Sequence, residues 1–140
     1  MNGDRFFLDT VYVVALLNED DQFHISAKTI FSFVREAQEI WLHEGILLEI
    51  ANHLRFTKRQ EACGFIHECY NEPNTHVVPL NNDLFIEAVE FYRIHLDKEW
   101  SLTDCISFIV MKQNGLSEAL TADNHFEQAG FKAVLLSTSE

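Results

Sequence analysis

The stretch "SLTDCISFIVMKQNGLSEALTAD", residues 101–123, contains the unit from which the fold can be inferred. Its spacing predicts a helix over 101–115 that ends at a glycine, followed by a short buried strand, "EALT", at 118–121. Asp104 lies in the first turn of this helix, and Asp123 follows the strand. A helix that leads into a parallel strand ends near the start of that strand, so the N-terminus of the helix lies toward the strand's carboxyl end. Both aspartates are therefore expected at one edge of a sheet.

Short apolar segments alternate with helical patterns along the rest of the chain. Four further strands and five further helices are predicted, with one more turn of helix before the last strand. The strands are at 5–8, 40–43, 75–80 and 133–136, and the helices are at 10–18, 23–38, 44–54, 58–70 and 83–96. This alternation predicts an α/β fold: a three-layer α/β/α sandwich with a central parallel sheet of about five strands. We expect a single domain over residues 1–140.

Four acidic residues are expected at the carboxyl edge of this sheet, where open α/β folds bind their ligands. Asp9 directly follows the first strand, and Glu49 lies about one and a half turns into the helix after the second strand. With Asp104 and Asp123 they would repel one another, raise one another's pKa and destabilise the fold. A hard divalent cation removes that penalty, and oxygen ligands favour Mg²⁺ or Mn²⁺. The cluster therefore predicts metal-assisted phosphodiester hydrolysis.

Each acid also has a purely structural interpretation. Asp9 and Asp123 stand where N-caps are expected, and Asp104 follows Ser101 at the interval of a capping box. Glu49 interrupts the apolar run "GILLEIA". A charge on the core side would need a partner or a metal there, whereas a solvent-facing charge would need neither.

The composition favours an ordered protein that is neither secreted nor inserted in a membrane. The chain is 47% hydrophobic, and its two prolines and five glycines leave no room for a flexible linker. No apolar run approaches the ~20 residues that span a bilayer, and no signal peptide is expected. The three cysteines match no zinc pattern and are interpreted as reduced core thiols of a cytoplasmic protein; they are Cys63, Cys69 and Cys105.

The charge balance is unusual for a protein that binds nucleic acid. Ten Lys and Arg oppose twenty-two Asp and Glu, which gives a formal net charge of −12. Such a protein slows the approach of a polyanion and attracts a partner with a basic segment. By sequence, the cations nearest to the predicted site are Lys58, Arg93 and Lys98.

Four segments of the chain resemble PIN domains, the fold of the VapC-like toxin ribonucleases. They are "FLDTVYVVALLN" (7–18), "LLEIANHL" (47–54), "DKEWSLTDCISFIVM" (97–111) and "ALTADNHFEQAGF" (119–131). The resemblance implies an endonuclease acting on single-stranded RNA with Mg²⁺ or Mn²⁺. It places the catalytic, metal-binding acids at Asp9, Glu49, Asp104 and Asp123. Thr10 and Thr121 match hydroxyl residues of the family, and together with Ser101 of the expected capping box they would orient these acids. A small antitoxin protein and a homodimer are also implied.

Some polar residues outside this set remain open to two interpretations. His125 is expected to be a surface or capping residue, with contact to a phosphate as the alternative. Asp97 belongs either to the metal site or to a solvated loop. His43 and Glu44 stand where family members often have Thr or Ser. The alternative function is a PIN-fold module that binds protein or nucleic acid with weak or no nuclease activity.

Overall fold

The computed structural model describes residues 5–138 of the 140-residue chain. Within this range it contains five strands and nine helices. The strands are β1 (Arg5–Leu8), β2 (Glu39–His43), β3 (Thr75–Val78), β4 (Glu118–Leu120) and β5 (Lys132–Ala133). The helices are α1 (Thr10–Leu17), α2 (His24–Thr29), α3 (Phe31–Arg35), α4 (Glu44–His53), α5 (Arg59–Asn71), α6 (Asn82–Ile94), α7 (Leu102–Gln113), α8 (Asn124–Gln128) and α9 (Val134–Thr138).

The five strands form one parallel sheet in the order β3-β2-β1-β4-β5. The central strand β1 pairs on both sides, so that Phe7 lies opposite Trp41 of β2 and Ala119 of β4. Phe6 and Phe7 are completely buried. An apolar strand covered on both faces is typical of a parallel sheet between helices. The predicted α/β class and the five-stranded parallel sheet are confirmed.

Helices cover both faces of the sheet. Parallel crossovers are right-handed, so helices α1–α5, which lie along the path from β1 to β3, belong to one face. Helices α6–α8 lie along the path from β3 back across β1 to β4 and β5, which runs in the opposite direction across the sheet, so they belong to the other face. The contacts agree with this division, because α4 packs against α1 and α5, and α7 packs against α6 and α8. The three-layer arrangement is the one predicted.

The direction of the chain across the sheet reverses between β1 and β4. From β1 the chain moves outward to β2 and β3, then returns to the other side of β1 and continues to β4 and β5. The crevice beyond the carboxyl ends of β1 and β4 is the place where such sheets bind ligands. Asp9 follows β1 and Asp123 follows β4, so both lie beside this crevice.

Two predicted elements are wrong in detail. The helix predicted over 23–38 is broken into α2 and α3 at Ile30, whose φ of −95° and ψ of 2° leave helical geometry. The hydroxyl of Thr29 donates to the carbonyl of Ile25, and β-branched residues weaken a helix at such a point. The strand predicted over 133–136 is mostly α9. Only Lys132 and Ala133 pair with the three-residue strand β4 before the chain turns into this helix.

The interpretation of the cysteines as core thiols is confirmed for two of the three. Cys69 and Cys105 are buried, whereas Cys63 is exposed, and all three are free. Burial raises the pKa of the Cys69 thiol to about 12 and that of the Cys105 thiol to about 11. Both thiols are therefore poor nucleophiles at neutral pH.

A single domain over residues 1–140 stays a prediction, since its first four and last two residues lie outside the described range. No helix between residues 5 and 138 combines the length and the apolar character that crossing a bilayer would need.

Candidate active site

Asp9 is the most deeply buried of the four predicted acids. Its side chain is only 6% exposed, and its Oδ2 accepts a hydrogen bond of 2.7 Å from the hydroxyl of Thr121, which follows β4. Asp9 occupies the N-cap position of α1 but makes no capping hydrogen bond with its side chain. Its interpretation as an N-cap side chain is therefore wrong, because the carboxylate turns to the neighbouring strand and not to its own helix.

Asp104 forms the capping box that the sequence predicts. The Ser101 hydroxyl accepts from the Asp104 backbone N–H at 3.0 Å, and Asp104 Oδ2 accepts from the Ser101 backbone N–H at 3.1 Å. This reciprocal pair fixes the first turn of α7. The carboxylate consequently has one orientation, at the edge of the crevice.

Asp123 and His125 complete this side of the site. Asp123 is the N-cap of α8, and its Oδ1 accepts from the His125 backbone N–H at 2.9 Å. The His125 ring Nδ1 lies 3.1 Å from Asp104 Oδ2 and 3.3 Å from Asp123 Oδ1. The imidazole thus bridges two predicted ligands, and its interpretation as a surface or capping residue is wrong. Its position two residues after Asp123 was the available signal.

Glu49 reaches the site from the other side of β1. Its Oε1 accepts a hydrogen bond of 2.8 Å from the hydroxyl of Thr10, the first residue of α1. The side chain is partly exposed and lines the crevice. It therefore points neither into the core nor freely into solvent. Asp9, Glu49, Asp104, Asp123 and His125 are called the acidic cluster below.

The acidic cluster lies in an open cleft of about 700 Å³. The other residues that line this cleft are Thr10, Val11, Val14, Asp21, Asn52, His53, Arg55, Glu99 and Ser101. His53 and Arg55 are the cationic or titratable groups that sequence reasoning missed. His53 follows Glu49 by four residues at the end of α4, and that helical interval was a signal that could have found it; Arg55 lies two residues beyond the helix, where helical spacing gives no signal.

The cations and the loop acid that the sequence suggested do not line this cleft. Lys98 lies 3.3 Å from Asp97 and near the Trp100 ring, and Arg93 pairs with Glu90 on α6. Asp97 is therefore the partner of a surface lysine and belongs to the solvated loop.

Burial and mutual repulsion alter the titration of the cluster. Burial, followed by the nearby charges of Asp104, Asp123 and Glu49, raises the pKa of Asp9 to about 7, although the Thr121 hydrogen bond opposes the shift. Burial also raises the pKa of Asp104, and Asp123 adds to that shift. Carboxylates in such a cluster bind protons more readily than usual, which is the penalty that a cation would remove.

A buried histidine connects the two helices that carry Glu49 and Asp104. His43 is the N-cap of α4; its Nδ1 accepts from the Gly45 backbone N–H at 3.0 Å. Its Nε2 therefore carries the proton and donates to Ser107 Oγ of α7 at 3.0 Å. A side chain at position 45 would come within 2.8 Å of the His43 ring, so glycine is required there. The side chain of His43 thus provides the N-terminal cap of α4.

Comparison with known proteins places this arrangement in a family. The family model described as "PIN domain" matches residues 6–132. The chain belongs to the PIN domain family. The matched range includes β4, all of β1 except its first residue, and every residue of the acidic cluster.

The PIN domain resembles a known endonuclease along most of its length. It is 28% identical over 136 residues to "23S rRNA-specific endonuclease VapC20" of Mycobacterium tuberculosis, with the same values for strains CDC 1551 / Oshkosh and ATCC 25618 / H37Rv. The alignment covers 91% of this chain and 96% of the relative.

Two solved structures share the fold. The crystal structure of M. tuberculosis VapC20, titled a "Sarcin-Ricin loop cleaving toxin", matches with a TM-score of 0.78 at 26% identity, over 90% of this chain and 95% of that one. The crystal structure of FitAcB from Neisseria gonorrhoeae matches with a TM-score of 0.57 at 17% identity, over 91% of this chain and 94% of that one. The second likeness shows the fold alone.

The residues of this PIN domain fit a divalent metal ion. Potential ligand atoms of Asp104, Asp123 and His125 all lie within 4.8 Å of one another. Asp104 and Asp123 are close enough to Asp9 for their charges to raise its pKa. The carboxylate oxygens suit Mg²⁺ and Mn²⁺, and of these two ions Mn²⁺ accepts a nitrogen ligand more readily. The sequence did not predict this nitrogen ligand.

Proposed function

We propose that this PIN domain is an endoribonuclease that hydrolyses phosphodiester bonds of single-stranded RNA and depends on Mg²⁺ or Mn²⁺. The observation that carries the proposal is the convergence of Asp9, Glu49, Asp104 and Asp123 in one cleft at the reversal point of the sheet. These acids come from four separate parts of the chain. A shared cleft for four carboxylates raises the free energy of the metal-free protein, and the binding of a cation offsets that penalty.

The proposal assigns a role to each residue of the cluster. Asp104, Asp123 and His125 would hold the ion, with Asp9 and Glu49 as further ligands, directly or through water. A divalent ion at this position supplies Lewis-acid polarisation of a phosphate and offsets the charge that develops during hydrolysis. For Nδ1 of His125 to bind the ion, its proton must leave and its contacts with both aspartates must change.

Three hydroxyl side chains keep the carboxylates in place. Thr121 donates to Asp9, Thr10 donates to Glu49, and Ser101 caps the turn that carries Asp104. Hydrogen bonds of this kind orient the ligands of a metal and tune its affinity. Thr121 also accepts from the Asp123 backbone N–H at 3.1 Å, so one hydroxyl connects two of the acids.

Ribosomal RNA and a protein inhibitor follow from the relatives as further proposals. The relative VapC20 is named as an endonuclease specific for 23S rRNA, so ribosomal RNA is the first natural substrate to test on this protein.

We also propose that the protein is the toxin of a toxin–antitoxin pair and that it forms a homodimer in the cytoplasm. Light scattering of the purified protein measures the oligomeric state directly.

Single-turnover cleavage of single-stranded RNA tests the nuclease proposal. The reaction is run with Mg²⁺, with Mn²⁺ and with EDTA, and the Asp104→Asn variant is the matched control because asparagine keeps the size of the side chain. We expect cleavage only with metal and only by the wild type. The absence of metal-dependent cleavage by the wild type would contradict the proposal, as would equal cleavage by the variant.

The net charge of −12 favours one second candidate, a PIN-fold binding module for a basic protein partner. Titration calorimetry with Mn²⁺ separates the two. A wild type that binds no Mn²⁺ at millimolar concentration favours the binding module, whereas saturable binding that Asp104→Asn weakens favours the nuclease.

A further inference from the structure

The segment "NHLRFTKR", residues 52–59, differs in charge from the rest of the chain and is called the basic segment here. It contains three of the ten Lys and Arg residues, and it contains none of the twenty-two Asp and Glu. These three cations are Arg55, Lys58 and Arg59. A local concentration of positive charge in an acidic protein indicates a surface that binds a negatively charged ligand.

The basic segment lies beside the acidic cluster. It runs from the last turn of α4 to the first residue of α5, and its start follows Glu49 by one helical turn. Three of its residues line the same cleft as the acids: Asn52, His53 and Arg55. Leu54 is buried and anchors the segment against the core. A ligand that enters the cleft therefore meets the basic segment and the acidic cluster together.

An aromatic ring at this segment is exposed to solvent. Phe56 is 82% exposed, and the Arg55 guanidinium lies 4.4 Å from the centre of its ring. Arg55 lines the cleft, and an exposed aromatic face paired with an arginine is an arrangement on which proteins stack unpaired bases. The hydrophobic core does not explain the position of this phenylalanine, since most of its surface faces water.

The cations of the basic segment are not neutralised by carboxylates. Across residues 5–138, Arg55, Lys58 and Arg59 form no ion pair, whereas Arg93 and Lys98 each have an acidic partner. The guanidinium of Arg55 donates to the backbone carbonyl of Asn52, a neutral group. The three positive charges are thus available to phosphates, where they would release counterions.

We propose that the basic segment is the subsite for the single-stranded RNA that flanks the scissile phosphate. The Phe56 ring stacks on one unpaired base, and Arg55, Lys58 and Arg59 contact the phosphates on either side of it. This inference rests on the proposed function and adds the site that holds the substrate. It also explains how a protein of charge −12 can retain RNA, because only the local charge beside the cleft contacts the backbone.

The molecule contains a matched control for this subsite. Arg35 lies 5.9 Å from the centre of the Phe31 ring, and Phe33 beside them is 60% exposed. This second group has the same types of residue and belongs to α3, but none of its members lines the cleft. Substitutions there remove the same charge or ring without changing the proposed subsite.

RNA affinity tests the proposal without depending on cleavage. Fluorescence anisotropy of a short labelled single-stranded RNA is measured against Asp104→Asn protein in Mg²⁺, with Phe56→Ala or Arg55→Gln added. The controls add Phe33→Ala or Arg35→Gln to the same protein. We expect Phe56→Ala to weaken binding by about tenfold, Arg55→Gln by about fivefold, and the controls by less than about twofold.

A second probe separates stacking from charge. An RNA of the same length without bases keeps its phosphates, so Arg55→Gln should still weaken its binding while Phe56→Ala should no longer do so. Phe56 is exposed, so the variant is expected to fold, which its thermal unfolding curve checks. Variants of the basic segment that bind both probes as the control protein does overturn the proposal and leave this surface to a protein partner. Absence of metal-dependent cleavage by the wild type would instead contradict the nuclease proposal.

Discussion

The acidic cluster and the basic segment lie along one cleft, but they are held in different ways. The carboxylate of each acid in the cluster accepts a hydrogen bond from within the protein, and Asp9 is almost fully buried. The basic segment is mostly exposed, and its cations bond to backbone carbonyls of their own segment where they bond at all. Positioned charge suits chemistry, which needs fixed geometry, whereas exposed charge suits the capture of a flexible chain. The comparison predicts that variants of the cluster change the rate of cleavage and that variants of the basic segment change RNA affinity.

The largest expected effect belongs to Asp123→Asn, which tests the cluster side of the comparison. Asparagine still caps α8, so mainly the charge is lost. We expect single-turnover cleavage at saturating RNA to fall by at least about 100-fold, with little change in RNA affinity. Asp97→Asn, in the solvated loop, should cleave as the wild type does. If Asp123→Asn loses RNA affinity but keeps its cleavage rate, the assignment of rate to the acidic cluster is wrong.

Asp9→Asn is expected to stabilise the metal-free protein while it abolishes cleavage. Burial raises the pKa of Asp9 from 3.8 to about 7, so the folded wild type loses stability as the pH rises from about 4 to 7. Asparagine keeps an acceptor for Thr121 and carries no charge. Above pH 7 the variant should therefore gain roughly 2–4 kcal/mol in the free energy of unfolding.

Urea unfolding in EDTA at pH 8 and at pH 4 measures this gain. The difference between variant and wild type should be large at pH 8 and close to zero at pH 4. A gain of the same size at both pH values would show that the buried charge of Asp9 is not its cause.

His43 is expected to make the protein sensitive to acid. Burial lowers its pKa from 6.5 to about 4, so the stability from neutral His43 is complete above pH 6.5 and is lost as the pH falls toward 4. Each pKa unit corresponds to about 1.4 kcal/mol, so the loss is on the order of 3 kcal/mol. The effect of Asp9 has the opposite sign over nearly the same pH range.

The Asp9→Asn protein isolates the contribution of His43. Its free energy of unfolding should fall between pH 6.5 and 4, and the further substitution His43→Asn should make that curve flatter. His67→Asn, at an exposed position on α5, is the control. An unchanged slope after His43→Asn would refute the assignment.

Thr121→Val tests how strongly the hydroxyl groups support the cluster. Loss of the hydrogen bond to Asp9 raises the pKa of that carboxyl further and leaves its rotamer free. We expect Mn²⁺ affinity to fall by about tenfold. Thr121→Ser, which keeps the hydroxyl, should restore most of it. If the serine variant binds Mn²⁺ as weakly as the valine variant does, packing and not the hydrogen bond is responsible.

The smallest expected effect concerns the basic segment. Arg59→Gln should reduce the dependence of log Kd for single-stranded RNA on log salt concentration by about 0.7, the value for one phosphate contact. The cleavage rate at saturating RNA should stay the same. Lys112→Gln, at an exposed position on α7, should leave the salt dependence unchanged. A lower cleavage rate for Arg59→Gln at saturating RNA would contradict the assignment of rate to the acidic cluster and of affinity to the basic segment.

Most of the fold was predictable because its signals are local. Periodicity placed four of the five strands and most helices, and the interval between Ser101 and Asp104 predicted a capping box that the structure contains. The error at 133–136 has a tertiary cause. The segment "AVLL" is equally apolar as strand or helix, and the length of β4 limits how many residues can pair.

The side-chain contacts of the site were less predictable than its location. The sequence indicated which acids lie at the carboxyl edge, since parallel strands bring their carboxyl ends together. It indicated mutual repulsion among the acids and a supporting role for Thr121, but not which atoms pair: Thr121 donates to Asp9 Oδ2, and His125 Nδ1 lies between Asp104 and Asp123. Those contacts depend on rotamers and on the distance between elements that are remote in sequence.

The sequence by itself determined the α/β class, the parallel sheet and the edge at which four acids meet, because periodicity and chain direction are properties of neighbouring residues. Only the tertiary structure decided that His43 connects α4 to α7, that Arg55 rather than Lys98 lines the cleft, and that the Phe56 ring next to Arg55 is exposed to solvent. The physical reason is that packing fixes these positions. The same local pattern is compatible with several orientations of each helix, and the free energy of the whole core selects one.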